Sequence, residues 1–403
     1  MTAQPMEHTT YKTKREMVPK PGPRRREMGE RAVFAGFSLL EPVVSQHEAA
    51  RQELKSHIID QDPAIDAIIE ALDRTEVRSL YDNQPSATLA FLGPTGVGKS
   101  ELAKRLAELQ GGNLIKIDCS DYSHGHEVTK LVGSPPSYVG DKLVPLLAKQ
   151  RVENGKAVVL FDEVEKGSTE LYNLMLQIME DGELTLSDGT VVNFREAMLV
   201  ITSNLGAAEM SGALSPVSLG FGNKKTEVDK TKLEQIATSG FVEFFAPEFI
   251  NRITKMVVFH PLTATGLSRV LEVKLEELNR EYTRQDGIHL TLTDKTREHL
   301  VAEAAKQPHL GARPLVRALD REILTTFGRY SGAGYFPEGT RVKVFHRDEL
   351  PEEHQPADGT LLVFSAQTDP NLRRYRPPQA ITAASHPAFV QPSAPEVAPK
   401  QQQ

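Results

Sequence analysis

Apolar residues along this chain recur in two rhythms: short, mostly apolar runs, and stripes spaced three and four apart. The runs 88–92, 114–118, 157–161 and 197–202 read as strands, and 157–161, apolar at successive positions, reads as a central strand buried on both faces. The stripes read as helices. Leu54, Ile58, Ile65, Ile68, Ile69 and Leu72 mark two helices within 43–72 that meet at a break over Asp60, Gln61, Asp62 and Pro63. Leu102, Ala103, Leu106 and Ala107 mark a helix over 101–108, and Leu171, Leu174, Met175, Ile178 and Met179 mark another whose methionines read as packing. Ser187, Asp188, Gly189 and Thr190 carry the Asp-Gly signal of a hairpin turn. Further on, Leu267, Val270, Leu271, Leu275, Leu278 and Tyr282 form a long stripe in a smaller helical domain. Residues 289–293 alternate like a short strand, Asp294 is placed to cap the next helix, and 341–345 with 360–364 read as a closing pair of strands.

Composition trims the ends of this picture. Residues 1–36 are rich in Pro, Lys and Arg, with 19–26 as the clearest breaker stretch, and read as a disordered basic arm; 367–403, rich in Pro, Ala and Gln, read as a disordered tail. The arm is either simply solvated or touches an acidic partner or nucleic acid. A formal net charge of -7 gives no reason to expect a nucleic-acid binder, and one cysteine, Cys119, excludes a disulfide framework and a Cys₄ zinc module. His124 and His126 have no further ligand at recognisable metal spacing. No stretch approaches the roughly 18 apolar residues that span a bilayer, and no apolar run follows the basic amino terminus, so the expectation is no membrane and a cytoplasmic location.

The chemistry sits between strand 88–92 and helix 101–108. Gly93, Pro94, Thr95, Gly96, Val97, Gly98, Lys99 and Ser100 fit the phosphate-loop pattern G-x-x-x-x-G-K-[ST] without mismatch. Such a loop aims backbone N–H groups at a phosphate beside the positive end of a helix dipole. Lys99 would reach the β- and γ-phosphates of a nucleotide, and Ser100 would place its hydroxyl on Mg²⁺. Strand 157–161 ends in Asp162 and Glu163; buried charge needs a partner, and here Asp162 would hold the Mg²⁺ while Glu163 polarises the attacking water. Strand 197–202 leads to Asn204, whose amide would orient that water or simply form a turn.

In this order, the phosphate loop, the segments 160–166, 202–206, 247–253 and 311–315 closely resemble the Clp-type AAA+ ATPases, and more narrowly the second ATPase module of ClpA, ClpB and ClpC. The resemblance runs from about Leu39 to about Phe364. It implies an α/β fold: an AAA+ P-loop NTPase domain with a parallel sheet over 37–258, followed by a small, mainly helical lid over 259–366. By the same resemblance Asn204 matches the sensor-1 asparagine, Arg313 the sensor-2 arginine of the lid, and Arg252 the arginine finger reaching a neighbouring subunit's site. A finger in trans is worth about 10³ to 10⁵ in turnover in related enzymes. Ile58 and Ile59 occupy the place where the family packs aliphatic side chains on adenine, with Asp60 where the family usually has glycine. Tyr138, with Val139 beside it, matches the pore-loop aromatic that grips polypeptide; Ser137 there, and Val144 with Pro145, depart from the family's glycines. Leu219, Gly220 and Phe221 sit where ClpA and ClpC carry the loop that docks on the ClpP peptidase; the tip reads equally as a loop folded on itself.

The function this implies is an ATP- and Mg²⁺-dependent protein unfoldase or chaperone that forms a homohexameric ring. It would act on protein substrates through a central pore, with or without a ClpP-type peptidase or adaptor. Two other classes stay open: a nucleotide-switched scaffold or assembly protein, and a DNA-directed motor.

Overall fold

The computed structural model of the protein describes residues 33–34, 37–38, 47–75, 83–133, 144–153, 156–214, 230–356 and 360–367. The chain divides into two compact units, Met1–Val44 and Ser45–Gln403. In the first, β1 (Val33–Phe34) and β2 (Phe37–Ser38) pair antiparallel, so two residues expected in the basic arm lie in a strand.

The second unit opens with α1 (Glu48–His57) and α2 (Asp62–Thr75). Pro63 is tolerated because it stands in the first turn of α2, where its missing N–H breaks no helical hydrogen bond. Next come β3 (Ala87–Leu92), α3 (Lys99–Leu109), β4 (Leu114–Asp118), and the single turns α4 (Thr129–Val132) and α5 (Lys149–Val152). Then follow β5 (Val158–Asp162) and α6 (Thr169–Asp181), which Ser168 caps and Gly182 ends in the left-handed conformation. β6 (Glu183–Thr185) and β7 (Val191–Asn193) form the hairpin expected from Asp188-Gly189. β8 (Met198–Ser203), α7 (Ala207–Leu214), α8 (Lys230–Phe244), α9 (Pro247–Asn251) and β9 (Lys255–Val258) complete the large domain.

Its sheet has the order β4-β5-β8-β3-β9 with every pairing parallel. The register aligns Leu92 with Ser203 and Asp118 with Asp162, so the carboxyl ends of the strands share one edge. Both faces are covered. Phe161, Ile201, Met175 and Phe249 belong to the core on one side; Phe91, Val200, Leu102, Ile65 and Phe259 belong to the core on the other. Burying each such side chain is worth about 1.5–3 kcal/mol, which makes the sheet a rigid platform for its loops.

The chain then enters α10 (Ala264–Asp286), β10 (His289–Leu292) and α11 (Asp294–Ala305). Thr293, not Asp294, caps α11: it is still extended and its hydroxyl accepts the Thr296 N–H at 3.4 Å, whereas Asp294 is already in the helix. α12 (Arg313–Ala318) continues through a π-helical stretch, Leu319–Leu324, into α13 (Thr325–Gly332). β11 (Arg341–His346) pairs antiparallel with β12 (Leu362–Gln367), the closing pair, and also lies parallel to β10. Leu271, Leu275, Leu300, Ile323 and Val342 form a separate core for these elements. Among the described residues no helix is long and apolar enough to cross a membrane.

Two clasps join the large domain to α10. The Gln61 side chain donates to the His260 carbonyl at 2.8 Å and accepts the His260 N–H at 3.0 Å. Thr263, the cap of α10, accepts the Gly266 N–H at 2.9 Å and donates to Asp60 at 3.1 Å.

Candidate nucleotide site

The loop 93–98 leaves β3 and feeds the amino terminus of α3. Lys99, the first residue of that helix, is 7% exposed; its ammonium donates to the carbonyls of Gly93 and Pro94 and to Asn204 Oδ1, the last two at 2.8 Å. Burial pushes its pKa down from the ordinary value to about 8, against the opposing pull of Glu165, Asp162 and Glu163. A buried ammonium resting on carbonyl oxygens would be better matched by an anion.

Asp162, at the end of β5, gathers three other side chains. Its Oδ1 accepts from Thr202 Oγ1 at 2.6 Å and from Ser100 Oγ at 2.9 Å, and Lys116 Nζ lies 2.7 Å from Oδ2. Burial by itself would raise this carboxyl; the bonds from Lys116, Thr202 and Ser100 outweigh it and hold the group below the usual carboxylate range. The paired oxygens of Ser100 and Asp162 suit a hard cation such as Mg²⁺.

Glu163 is one of two non-glycine residues described with positive φ, at φ 56° and ψ 53°. A left-handed residue costs about 1–2 kcal/mol, and here its N–H donates to Thr202 Oγ1 at 2.9 Å while Oε1 accepts from Asn204 Nδ2 at 3.3 Å. Lys166 also pairs with its carboxylate. Asn204 is fixed from both sides, its own N–H donating to Glu165 Oε1 at 3.1 Å.

The lid closes on the loop through backbone. Ala312 N–H donates to the Gly96 carbonyl at 2.8 Å. Gly311, at φ 58°, stands so near that a Cβ there would lie 2.5 Å from the Gly96 oxygen, and a Cβ on Gly96 would lie 2.2 Å from the Leu310 oxygen. Only two glycines allow this approach.

Loop, strand ends and lid enclose a cavity of about 510 Å³, within the range of small-molecule sites. Lys99, Ser100, Asp162, Glu163 and Asn204 line its polar side. Ile58 and Ile59, both buried, line the apolar side opposite Leu262, Val270 and Val316 of the lid, and Arg313 reaches in from the start of α12. Thr95, Gly96, Val97 and Gly98 line it too, while Gly93 and Pro94 contribute through their bonds to Lys99. Arg252 stands apart: at the end of α9, it pairs with Glu180 at 2.6 Å and does not line the cavity. Tyr138, Val139, Leu219, Gly220 and Phe221 lie outside the described residues.

Sequence reasoning did not anticipate Lys116, Thr202, Leu262 and Val316. Lys116 interrupts a strand between Ile115 and Ile117, and Thr202 is a hydroxyl at the end of the apolar run 197–202, so both carried a faint signal. The two lid residues carried none, since packing on the cavity and packing on a core need the same side chains.

A phosphate loop at the carboxyl edge of a five-stranded parallel sheet, closed by a helical lid, defines an AAA+ type of nucleotide-binding module. Residues 84–256 match the family described as AAA domain (Cdc48 subfamily), and residues 262–344 match the C-terminal, D2-small domain of ClpB protein. The chain is 38% identical over 274 residues to the ATP-dependent Clp protease ATP-binding subunit ClpE of Lactococcus lactis, covering 67% of this chain and 35% of that one. It is 39% identical over 293 residues to the chloroplastic chaperone protein ClpC1 of Oryza sativa subsp. japonica, covering 72% of this chain and 32% of that one. Among solved structures it is similar to Hsp104 of S. cerevisiae in an extended complex with casein, at TM-score 0.62 and 28% identity, over 74% of this chain and 50% of that one. The chain belongs to the Clp-type AAA+ ATPases. It spans about a third of the length of the curated relatives it matches.

Proposed function

We propose that this chain is an ATP-driven protein unfoldase or chaperone whose catalytic site is shared between neighbouring subunits of a homohexameric ring. One observation carries the reading: Lys99, Ser100, Asp162, Glu163 and Asn204 converge on one cavity that Arg313 of the lid also lines, while Arg252 does not. In this mechanism the triphosphate of ATP replaces the carbonyls that Lys99 now contacts and the adenine lies between Ile58, Ile59 and the lid. Ser100 and Asp162 would hold Mg²⁺, which when bound would supply positive charge against the phosphates. Glu163 accepts the proton of the attacking water, Asn204 orients that water, and Arg313 ties the lid to the γ-phosphate. Arg252 leaves Glu180 and completes the site of the adjacent subunit. Lid movement on hydrolysis would then drive Tyr138 and Val139 along an extended polypeptide.

The relatives' names speak of Clp protease subunits and chaperones, and the solved relative was captured with casein, which supports protein as substrate. Leu219, Gly220 and Phe221 would dock on a ClpP-type peptidase where one is the partner, and the cytoplasm is the proposed location.

The test is ATP turnover per subunit against protein concentration, with Glu163→Gln and Arg252→Ala alongside. Specific activity should rise steeply with concentration. Glu163→Gln should lose about 10²- to 10⁴-fold with nucleotide still bound, and Arg252→Ala about 10³-fold or more. Flat activity with an active Arg252→Ala would overturn the shared site. Nucleotide binding without turnover at any concentration, and no unfolding of a tagged substrate, would turn the reading towards a nucleotide-switched scaffold.

A further inference from the structure

Lys116 comes from β4, an edge strand, where Ile115 and Ile117 enter the core and Lys116 reaches the cavity. Its ammonium lies 2.7 Å from Asp162 Oδ2, and Ser100 and Thr202 hold Oδ1. All three bonds meet on the one carboxylate that, with Ser100, offers paired oxygens to a cation. Of the other cations around the cavity, Lys99 is turned to Gly93, Pro94 and Asn204, and Lys116 is the one whose ammonium pairs with Asp162 among the described residues. The Lys116 side chain is 51% exposed, so its ammonium can withdraw into water at small cost, whereas Asp162, at 14%, is held in place.

We propose that Lys116 is a built-in competitor of the divalent cation: it occupies Asp162 in the metal-free site, must swing out for Mg²⁺ to bind, and thereby sets the metal affinity of this module. The proposal rests on the ATP-site reading above. Both consequences of the charge act in one direction. Lys116 must give up a charge-assisted bond before the cation enters, and once displaced it remains a like charge close to it.

The experiment titrates Mn²⁺ into the full chain with ADP present and reads free Mn²⁺ by electron paramagnetic resonance, a signal independent of turnover. Lys116→Met keeps the apolar stem and removes the charge; it should lower the half-saturating Mn²⁺ concentration about tenfold. Lys116→Arg should stay within about twofold of the parent, and Asp162→Asn should weaken binding, showing that the signal comes from this site. Unchanged or weaker Mn²⁺ binding by Lys116→Met, with the parent binding both ADP and Mn²⁺, overturns the role of Lys116 and leaves the ATP site standing. A parent that binds neither overturns both.

Discussion

Thr202 holds two groups of the site with one hydroxyl, donating to Asp162 at 2.6 Å and accepting the Glu163 N–H at 2.9 Å. Its 1% exposure means that neither bond can be replaced by water without opening the sheet edge. Thr202→Val keeps the shape and deletes both bonds, so the left-handed Glu163 loses the contact that offsets its strain. The expected result is a loss of about 1–3 kcal/mol in stability, and a turnover drop of tenfold or more with nucleotide affinity little changed. Thr202→Ser should recover most of the turnover. Denaturant midpoints, nucleotide binding and turnover of the two variants check this, and a fully active Thr202→Val would remove Thr202 from the mechanism. The sequence placed Asp162 and Glu163 correctly at a strand end, yet it could not tell which neighbour would hold them, because that neighbour sits 40 residues away in Thr202's case and on a different strand.

Between elements, the contact that matters most is the backbone seam of the phosphate loop against the lid. Gly311→Ala would force a Cβ to within 2.5 Å of the Gly96 oxygen at φ 58°, so either the loop or the start of α12 must move. It should cost about 1–3 kcal/mol and weaken binding of a fluorescent ADP measurably, because Arg313 and Val316 line the cavity from the displaced helix. Gly328→Ala, with open space around its Cβ, serves as the lid control and should do neither. Equal behaviour of the two variants would sink the argument. Asp60 is the converse case. It stands left-handed at φ 59°, where the resemblance leads one to expect glycine, and its carboxylate receives Thr263 and pairs with Arg269 at 3.3 Å. The bonds to the cap of α10 and to Arg269 offset strain that a glycine would not have had.

At the scale of the whole unit, an ion pair also ties the lid to the large domain, beyond the backbone seam and the two clasps. Arg105 of α3 pairs with Glu277 of α10, which Lys274 also contacts at 2.8 Å. Burial would raise the Glu277 carboxyl, but Lys274 and Arg105 outweigh it and hold it below the usual glutamate range. A carboxyl depressed by folding contributes stability that is fully present above its unfolded pKa, about 4.3, and is lost as pH falls through the folded value. The parent should therefore lose stability more steeply than Glu277→Gln as pH falls below about 4.5, and the two should differ by a constant amount near pH 7. Urea midpoints from pH 7 to pH 3 check this; parallel curves across the acid limb would show that the pair is not linked to folding.

The sequence by itself determined the local things. A strand, a glycine loop and a helix follow from residues 88–108 because hydrophobic period and φ tolerance are properties of neighbours in the chain, and the same is true of the break at Asp60 and the turn at Gly189. Motif order also placed Asp162 and Asn204 at strand ends. Tertiary structure decided what comes together there. The order β5-β8-β3 brings three strand ends side by side, Lys116 crosses from β4 to Asp162, and the lid lays Gly311 on Gly96 across more than 200 residues. Local patterns are blind to such meetings because their free energy lies in burial and electrostatics between segments, which only the closed fold defines.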